Sequence, residues 1–502
     1  MSSGAIPHVV IVGGGIAGLA AAFFLKDEPA RVTVLEGSPR LGGKLRASDV
    51  EGVAMDEGPE ALLARRPEGV ELIKAAGLGG DLVPAGVTSS ALYTRGALRP
   101  LPRRQFMGVP ADMDELAMTG VISADGVARA RNEPAGSGGA AAGGDVSVTE
   151  YVGSRLGAEV VDRLVDPLLG GVYAGRSEDL SFHATLAPLA AAARRHPTLV
   201  GAVTSLLPPP PPSDNSIKPP AGDAGAGSTG AGGTPAADHA AAQPAPVFVS
   251  LTSGIGSLPE AVAKSCGADV RVSAMVRELR RTDTGWRLTI GSAADPEYLD
   301  ADAVIVAVPA APAARLLAEA APAAAARLQE IPYASMAIVT LAFRAPDFPG
   351  QQRSGYLVPA VDGRAVKAAT FSTVKWPHLA AQGAAAQAPV HVVRCSLGRA
   401  GDVAVLQRDD ADLAALAEAE LTEAIGLTAK SVEQRVTRWG GGLPQYNVGH
   451  TGRVAAIRAA VAGQPGLAVA GAAYDGVGIP ACIATAKAAA AQVTAHLSAL
   501  PR

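Results

Sequence analysis

The chain has 502 residues and a formal net charge of −4 at pH 7, which allows about two or three domains and a large core. The weak negative charge and the pI near 6.1 give no reason to expect nucleic-acid binding. Alanine inflates the 48% hydrophobic fraction and no stretch has to cross a bilayer, so we expect neither a nucleic-acid partner nor an integral membrane segment.

The three cysteines, Cys266, Cys395 and Cys482, lie far apart, and none belongs to a Cys-x-x-Cys pair or a Cys/His cluster. This pattern is typical of proteins in a reducing compartment and provides no cysteine-built metal site. The N-terminal residues lack the basic segment, apolar stretch and cleavage site of an export signal. We therefore predict a cytoplasmic protein without metal ligands.

The first predicted element is a strand that passes through a glycine turn into a helix. The strand is the apolar run His8–Val12. The turn and the start of the helix comprise Gly13, Gly14, Gly15, Ile16, Ala17 and Gly18. In such a unit the first glycine allows a tight turn, the second lets a pyrophosphate approach the backbone, and the third lets the helix pack closely on the strand. Free N–H groups at the helix N-terminus favour phosphate binding.

A second apolar strand, Arg31–Leu35, is followed by Glu36, whose carboxylate is expected to accept hydrogen bonds from the adenosine ribose hydroxyls. Strand, turn, helix and acid follow one another at the spacing of a dinucleotide-binding unit. The alternative is a membrane span, because no charge interrupts residues 9–25. That stretch is short for a span and has three consecutive glycines in its middle, so a dinucleotide site is favoured.

Two segments have compositions that do not bury enough apolar surface to offset the entropy of ordering. Residues 124–144 are rich in glycine and alanine. Residues 208–246 open with five prolines and continue with glycine, alanine and serine. We expect both segments to be unstructured and the second to be a solvent-exposed insertion.

Strand patterns return after the second segment. Residues 247–251 precede a helix start near Ser257, and further strands are predicted at 269–273, 276–279, 286–290 and 303–308. The last of these has the apolar composition of a central parallel strand. Residues 467–471 precede a turn and a long alanine-rich helix. The order predicts an α/β protein, α+β overall, in which a Rossmann-like domain is assembled from separated pieces of the chain.

The expected nucleotide-binding domain combines residues 1–84, 247–309 and 431–502. The remaining chain is expected to form a helical, substrate-binding subdomain at 85–207, a disordered insertion at 208–246 and a mixed-sheet substrate-binding domain at 310–430.

The residues after Glu36 indicate which dinucleotide binds. The loop 36–44 places a glycine pair and two cations just beyond the acid, and the segment 55–60 follows. Together they resemble the flavin-containing amine-oxidase/protoporphyrinogen-oxidase superfamily, in which such a loop passes over the FAD pyrophosphate and isoalloxazine. An NAD dehydrogenase has no need of this loop, so the resemblance favours FAD.

Further blocks narrow the resemblance to the protoporphyrinogen/coproporphyrinogen oxidase family. They are residues 166–175, 375–378, 436–439, 443–450 and 471–483. Their order and spacing resemble those of the soluble coproporphyrinogen III oxidases of Gram-positive bacteria, and the likeness covers nearly the whole chain outside the two unstructured segments. One position departs from the wider superfamily. Ala472 stands where many members have an acid, which leaves the role of the nearby Asp475 open.

The resemblance implies FAD contacts from distant parts of the chain. Besides residues 13–18 and Glu36, the expected cofactor-binding residues are Gly37, Arg40, Gly43, Lys44, Gly58, Pro59, Glu60, Ala61, Val276, Trp439, Val477, Gly478 and Ile479. Pro480 has the fixed φ favoured at the first helical position, so a helix is expected to start there. Its positive end would face the flavin edge that becomes negative on reduction.

The substrate implied by the resemblance is a porphyrinogen. Coproporphyrinogen carries four propionates, whereas protoporphyrinogen carries two propionates and two apolar vinyl groups, so the former needs more cations in its pocket. The residues expected to bind substrate are Arg66, Tyr356 and Lys367. Further candidates, for which surface charge or core packing is the ordinary alternative, are Arg176, Lys375, Tyr173 and Tyr446. No catalytic side chain is predicted, because the substrate N–H protons can leave to water.

We predict an FAD-dependent coproporphyrinogen III oxidase of haem synthesis that passes six electrons to dioxygen and produces hydrogen peroxide. A transient contact with the next enzyme of the haem pathway is a further expected partnership. The alternatives are a protoporphyrinogen oxidase, a flavin amine oxidase or desaturase, and a flavin protein that only presents porphyrin. The 4% aromatic content argues against the aromatic cage that amine oxidases usually need.

Overall fold

The computed structural model describes residues 6–134, 144–209 and 246–500. A five-stranded parallel sheet, called the nucleotide sheet below, consists in spatial order of Asp269–Arg271, Arg31–Leu35, His8–Val12, Ala303–Val306 and Leu467–Val469. Its strands come from the beginning, middle and end of the chain, which confirms the predicted α/β class and discontinuous assembly. Parallel pairing puts the carboxyl ends of all five strands at one edge, where such sheets bind nucleotides.

Helices cover both faces of the nucleotide sheet. They are Ile16–Phe24, Pro67–Ala75, Leu258–Ser265, Ala310–Leu317, Pro322–Gln329, His450–Ala462 and Ile479–Ser498. The helix Ile16–Phe24, called the first helix, packs against Ile479–Ser498, called the C-terminal helix. Their contact is close because it is built from alanines without exposed area, such as Ala21 and Ala486. A three-stranded antiparallel sheet, Val276–Arg281, Trp286–Gly291 and Pro296–Ala301, forms the crossover before Ala303–Val306.

A seven-stranded mixed sheet, called the large sheet, forms the other half of the molecule. In spatial order its strands are Glu433–Pro444, Tyr333–Arg344, Val390–Leu397, Val366–Phe371, Gly355–Leu357, Ala91–Thr94 and Ala97–Pro100. Side chains alternate between its two faces. Val339, Cys395 and Ala369 belong to the apolar face that packs on the helix Asp410–Ile425. Arg394, which is next to Cys395, therefore lies on the opposite face.

Helices of the segment between the two sheets enclose a core of their own. They are Met113–Thr119, Ala124–Arg131, Val148–Leu156, Ala158–Val160, a π-helical turn Val161–Val165, Asp166–Tyr173, Phe182–Thr185, Ala187–Ala193 and Leu199–Leu206. The helix Ala124–Arg131 corrects the expectation that residues 124–144 are unstructured. Ser123 caps it by accepting a hydrogen bond from Gly126 N at 3.0 Å, and Val127 is buried in the helical core. Residues 135–143, and 210–245 of the predicted insertion, lie outside the described residues.

The two sheets divide the chain differently from two predicted boundaries. Glu433–Pro444 pairs along its length with Tyr333–Arg344, so it belongs to the large sheet although it follows the expected boundary at 431. Ala310–Leu317 and Pro322–Gln329 pack on the nucleotide sheet although they follow the expected boundary at 309. In both cases an element lies where its apolar face is buried. The local sequence shows that the element has an apolar face, but not which surface that face will pack against.

Short elements complete the described structure. The strands are Ala47–Val50, Val53–Asp56, Leu62–Leu63, Leu82–Pro84, Gln105–Phe106, Val109–Pro110 and Phe248–Leu251. The helices are Ser372–Lys375 and Pro377–Ala385, with 3₁₀ turns at Gly79–Asp81, Ile255–Ser257, Ala345–Asp347, Ala360–Asp362 and Val405–Gln407. Phe248–Leu251 lies between Leu62–Leu63 and Leu82–Pro84, which fixes the start of Pro67–Ala75 beside the nucleotide sheet.

Candidate functional site

The glycine turn after His8–Val12 forms an open cradle at the N-terminus of the first helix. Gly13 has φ +114°, a backbone conformation that favours glycine. The first helix begins at Ile16 with Gly15 as its N-cap residue, and a Cβ built on Gly15 would meet no atom within 4 Å. Open space beside unpaired helix N–H groups is what a pyrophosphate requires. The cradle therefore fits the predicted dinucleotide.

Glu36 holds the shape of this turn. One carboxylate oxygen accepts a hydrogen bond from Gly14 N at 2.7 Å, and the other accepts one from Ser38 N at 2.8 Å. Each oxygen keeps a further lone pair that can accept from a ribose hydroxyl. Ala274 N donates to the Glu36 carbonyl at 2.8 Å, which places Val276 two residues from this contact. Two segments predicted to bind the nucleotide are thus adjacent.

The loop after Glu36 folds back over the glycine turn. The Arg40 guanidinium donates to the Gly43 carbonyl at 2.8 Å, so its charge is committed to the shape of the loop. A Cβ on Gly43 would lie 3.5 Å from Gly15 Cα, and one on Gly37 would lie 2.4 Å from Met275 Cε. These distances place the loop directly above the cradle.

Lys44 provides a cation at the same place. It is partly buried, desolvation lowers its pKa, and no ion pair to it is formed among the described residues. It lies close to Cys482, near the start of the C-terminal helix. An unpaired, half-buried ammonium between the two ends of the chain is suited to a phosphate or another anionic group.

The loop before the C-terminal helix lies beside the first helix. Gly471 has φ +126°, and its Cβ would lie 4.0 Å from Ala17 Cβ. The C-terminal helix has 20 residues and begins at Ile479, one residue before the predicted start, with Gly478 as its N-cap residue. A Cβ on Gly478 would contact only Pro480 Cδ, at 3.9 Å. The segment Val477, Gly478 and Ile479 therefore leaves open space in front of a helix N-terminus.

Tyr446 clamps this loop from the large-sheet side. Its hydroxyl donates to the Ala472 carbonyl at 2.6 Å and accepts from Gly476 N at 2.7 Å. Its ring stacks on His450 with the ring centroids 3.8 Å apart. Burial lowers the pKa of His450 to about 4, so this imidazole is neutral at pH 7. The buried Tyr446 thus positions the loop that precedes the C-terminal helix.

Tyr446→Phe is expected to fold and to bind FAD more weakly. The substitution removes two hydrogen bonds to the loop, each worth about 1 kcal/mol, so FAD affinity should fall about tenfold or more. Titration of the flavin-free protein with FAD measures the effect, and Tyr298→Phe, which alters an exposed tyrosine, is the control. Unchanged affinity in Tyr446→Phe would show that the loop holds its shape without the hydroxyl.

The loop 58–61 is tied to the large sheet by a buried ion-pair network. Glu60 accepts hydrogen bonds from Lys375 Nζ and from Arg394 Nη1, both at 2.7 Å. Arg394 also donates to the Gly58 carbonyl at 2.6 Å. Burial raises the pKa of Glu60, but Lys375 and Arg394 together lower it further, to about 2. Pro59 and Ala61 flank this anchored acid, and the charge of Lys375, a candidate substrate residue, is already paired.

Trp439 contacts the chain next to the loop 58–61. Its indole Nε1 donates to the Glu57 carbonyl at 2.9 Å, and a Cβ on Gly58 would lie 3.6 Å from its ring. Arg394 was not predicted from the sequence. One feature of the sequence could have indicated it: Arg394 is a charged residue inside the apolar strand Val390–Leu397. A cation buried in such a strand needs an acid from another part of the chain.

The predicted substrate-binding residues occupy different environments. Arg66 is the N-cap residue of Pro67–Ala75, where its guanidinium pairs with Glu68 at 2.9 Å and its side chain is 44% exposed. This helix start meets the C-terminal helix, since a Cβ on Gly69 would lie 3.2 Å from Pro480 Cγ. The first turn of this helix therefore lies beside the start of the C-terminal helix.

Tyr356, which we expected to contact the macrocycle, is buried in the apolar core of the large sheet. It pairs with Ala369 and packs against Tyr93 and Phe371 on the apolar face of the large sheet. That face is opposite to the one that carries Arg394. Side chains alternate between the two faces of a strand, and this alternation decides where Tyr356 points. The sequence does not indicate which face of the large sheet meets the nucleotide sheet.

Lys367, Arg176 and Asp475 complete the predicted set. Lys367 is 3% exposed, so it is not a surface charge. Arg176 pairs with Glu178 and lines an open groove of about 400 Å³. Asp475 forms an ion pair with Arg458 on the surface, which places its carboxylate away from the cradle.

Two absences apply to the residues that the structure describes. Within the ranges 6–134, 144–209 and 246–500, no helix combines the length and the apolar character needed to traverse a bilayer. In the same ranges, no three histidine, cysteine, aspartate or glutamate side chains are grouped so that they could hold a metal ion.

Comparisons with known proteins agree with this geometry. The sequence matches the family described as flavin containing amine oxidoreductase over residues 16–494. It is 30% identical to the coproporphyrinogen III oxidase of Bacillus subtilis, with 98% of each chain covered. It is 35% identical to that of Mycobacterium bovis, with 97% of this chain and 98% of that protein covered. A crystal structure from Exiguobacterium sp. 255-15, assigned by name as a protoporphyrinogen oxidase, superposes with a TM-score of 0.78 at 28% identity over 99% of both chains.

Proposed function

This chain belongs to the flavin containing amine oxidoreductase family, in its protoporphyrinogen/coproporphyrinogen oxidase branch, and we propose that it oxidises coproporphyrinogen III to coproporphyrin III. The family's cofactor is FAD. The observation that carries the proposal is the open space at Gly15 and at Gly478, two helix N-termini from opposite ends of the chain that lie side by side. A flavin dinucleotide has the length and the charge to bridge them.

The chain's own residues have separate tasks in this proposal. Glu36 would accept hydrogen bonds from the ribose, and the first-helix N-terminus with Lys44 would hold the pyrophosphate. The N-terminus of the C-terminal helix would provide a fixed positive dipole, which favours electron uptake by a bound flavin. FAD supplies two-electron redox chemistry when bound, and the six-electron change requires three such oxidations with dioxygen as acceptor and hydrogen peroxide as product.

The choice of substrate rests on the relatives and on the cations. Two relatives at 30% and 35% identity are named coproporphyrinogen III oxidases. We assign the half-exposed Arg66 and the buried Lys367 to the cations that a substrate with several carboxylates requires. The second candidate is a protoporphyrinogen oxidase, which the name of the Exiguobacterium structure favours. A cytoplasmic location and a transient contact with the next haem-pathway enzyme belong to the same proposal.

Steady-state kinetics with both porphyrinogens tests the function. The purified protein should be yellow, release FAD on denaturation, and generate porphyrin fluorescence and hydrogen peroxide together from coproporphyrinogen in air. Without oxygen, coproporphyrinogen should bleach the flavin. A protein that binds FAD and is not bleached would be a porphyrin-presenting protein and not an oxidase. A higher kcat/KM for protoporphyrinogen would favour the second candidate.

Arg66→Ala is expected to weaken the binding of coproporphyrinogen and to leave FAD content unchanged. Loss of a charge-assisted contact to a propionate should raise the KM about tenfold or more. The control is Glu68→Gln, which frees the Arg66 guanidinium from its ion pair and should leave KM equal or lower. An unchanged KM in Arg66→Ala would remove this residue from the substrate site.

A further inference from the structure

Lys367 is a buried lysine for which the described residues provide no partner. Its side chain is 3% exposed, and its ammonium forms no hydrogen bond to any described protein atom. It lies at a bulge, where the pairing of Val366–Phe371 with Val390–Leu397 shifts between Val366 and Ala368. Bulges re-aim side chains and often lie beside active sites. A buried ammonium is costly unless an anion pairs with it.

Arg399 adds a second cation at the same end of the large sheet. Its guanidinium donates to the Val358 carbonyl at 3.1 Å, and Val358 N donates to the Lys367 carbonyl at 2.8 Å. The Arg399 guanidinium and the Lys367 backbone therefore both contact Val358, and the Arg399 charge acts on the Lys367 ammonium. Burial and the charge of Arg399 lower the pKa of Lys367 to about 7. Lys367 therefore has a second cation as its neighbour, and no acid acts on its charge.

Three acids act on the charge of Arg399: Asp166 and Glu420 are engaged in other hydrogen bonds, and Asp402 does not act on Lys367. One carboxylate oxygen of Asp166 accepts from the backbone N–H and the hydroxyl of Ser177, at 3.0 and 2.9 Å. Glu420 accepts from Ala365 N and Val366 N at 2.9 and 3.0 Å. Neither acid acts on Lys367. The described part of the chain thus does not neutralise the Lys367 ammonium, which leaves this task to a ligand.

The position of Lys367 connects it to the flavin-binding loop. Thr370, three residues further along the strand, pairs with Arg394, which donates to the Gly58 carbonyl. Three residues span roughly 10 Å of a strand. Arg399 also lines the open groove of about 400 Å³, and the Lys367 ammonium beside it is buried. A large flat molecule held beside Gly58 can therefore reach Lys367.

We propose that Lys367, with Arg399, binds a carboxylate of the substrate and is a specificity-determining residue. The inference rests on the proposed function, in which the substrate is a porphyrinogen that carries propionates. A propionate supplies the anion that the ammonium lacks, in a setting where a charge-assisted hydrogen bond is strong. A neutral side chain on the substrate would leave the lysine unpaired, so the site discriminates against it.

The test compares Lys367→Met with Lys264→Met, which alters an exposed lysine, in the FAD-loaded full-length protein. The probes are coproporphyrin III and its tetramethyl ester, which has the same ring and no free carboxylate, with binding followed by quenching of protein fluorescence. Lys367→Met should bind the acid about tenfold or more weakly and the ester as the wild type does. Lys264→Met should match the wild type for both, and Lys367→Arg should recover part of the affinity.

Equal affinity of the wild type and Lys367→Met for the acid, or an equal loss for acid and ester, would overturn the proposal. If Lys367 had only a structural role, its replacement would lower the melting temperature and leave the ratio of the affinities for acid and ester unchanged. We expect instead that Lys367→Met has an equal or higher melting temperature than the wild type. If Lys367→Met does not fold, Lys367→Gln gives the same comparison. A wild type that does not oxidise coproporphyrinogen would refute the proposed function and this inference together. Oxidation with an unchanged KM in Lys367→Met would refute the inference alone.

Discussion

Gly15→Val is expected to give a folded protein that has lost FAD. Gly15 has φ −75° and ψ 176°, which any residue adopts, and its Cβ would meet no protein atom within 4 Å. The new side chain therefore strains nothing in the protein and occupies the space that the pyrophosphate needs. FAD content, measured by absorbance after purification, should fall roughly tenfold or more. The melting temperature of the flavin-free form should stay near that of the flavin-free wild type.

Two matched valine variants separate this effect from unfolding. A Cβ on Gly18 would lie 1.9 Å from the Gly13 carbonyl oxygen, so Gly18→Val should destabilise the nucleotide sheet itself. A Cβ on the exposed Gly350 would meet no atom within 4 Å, so Gly350→Val should keep both FAD and stability. Wild-type FAD content in Gly15→Val would place the pyrophosphate somewhere other than this turn.

Glu60→Gln should destabilise the protein by about 3 kcal/mol at pH 7. The substitution leaves Lys375 and Arg394 without their shared anion, and removing one partner of a buried ion pair costs about 3–5 kcal/mol. The difference between the ordinary pKa of 4.5 and the value of about 2 in the folded protein corresponds to about 3 kcal/mol as well. Denaturant unfolding measures the loss. Activity should fall too, because Arg394 also holds the Gly58 carbonyl.

The destabilisation caused by Glu60→Gln should depend on pH, because Glu60 itself titrates. The folded-state pKa of Glu60 is depressed, so its contribution is fully present above its unfolded pKa near 4.5 and is lost as the pH falls toward about 2. The difference in stability between the wild type and Glu60→Gln should therefore shrink through this window. Glu68→Gln, which removes the partner of the half-exposed Arg66, should cost less than about 1 kcal/mol at any pH. A pH-independent difference for Glu60→Gln would show that the acid is not ionised in the network.

Local sequence determined the parts of the site that are built from consecutive residues. The turn from Gly13 to Gly18, Glu36 at the end of its strand and the helix start at Gly478 depend on backbone conformations that nearby glycines and apolar runs specify. The resemblance of scattered blocks to one oxidase family added the cofactor and the substrate class. The turn and the two helix starts are built from consecutive residues, so a local pattern was enough to predict them.

Tertiary structure alone decided which side chains face the cofactor, which face the core and which charges are paired. Tyr356 and Lys367 are both buried in neighbouring strands, yet strand alternation sends the tyrosine into the apolar core and a bulge leaves the lysine without a partner. Glu60 meets Arg394 across 334 residues of sequence. The free energy of a buried charge depends on partners and desolvation that long-range packing supplies, so no local pattern records it.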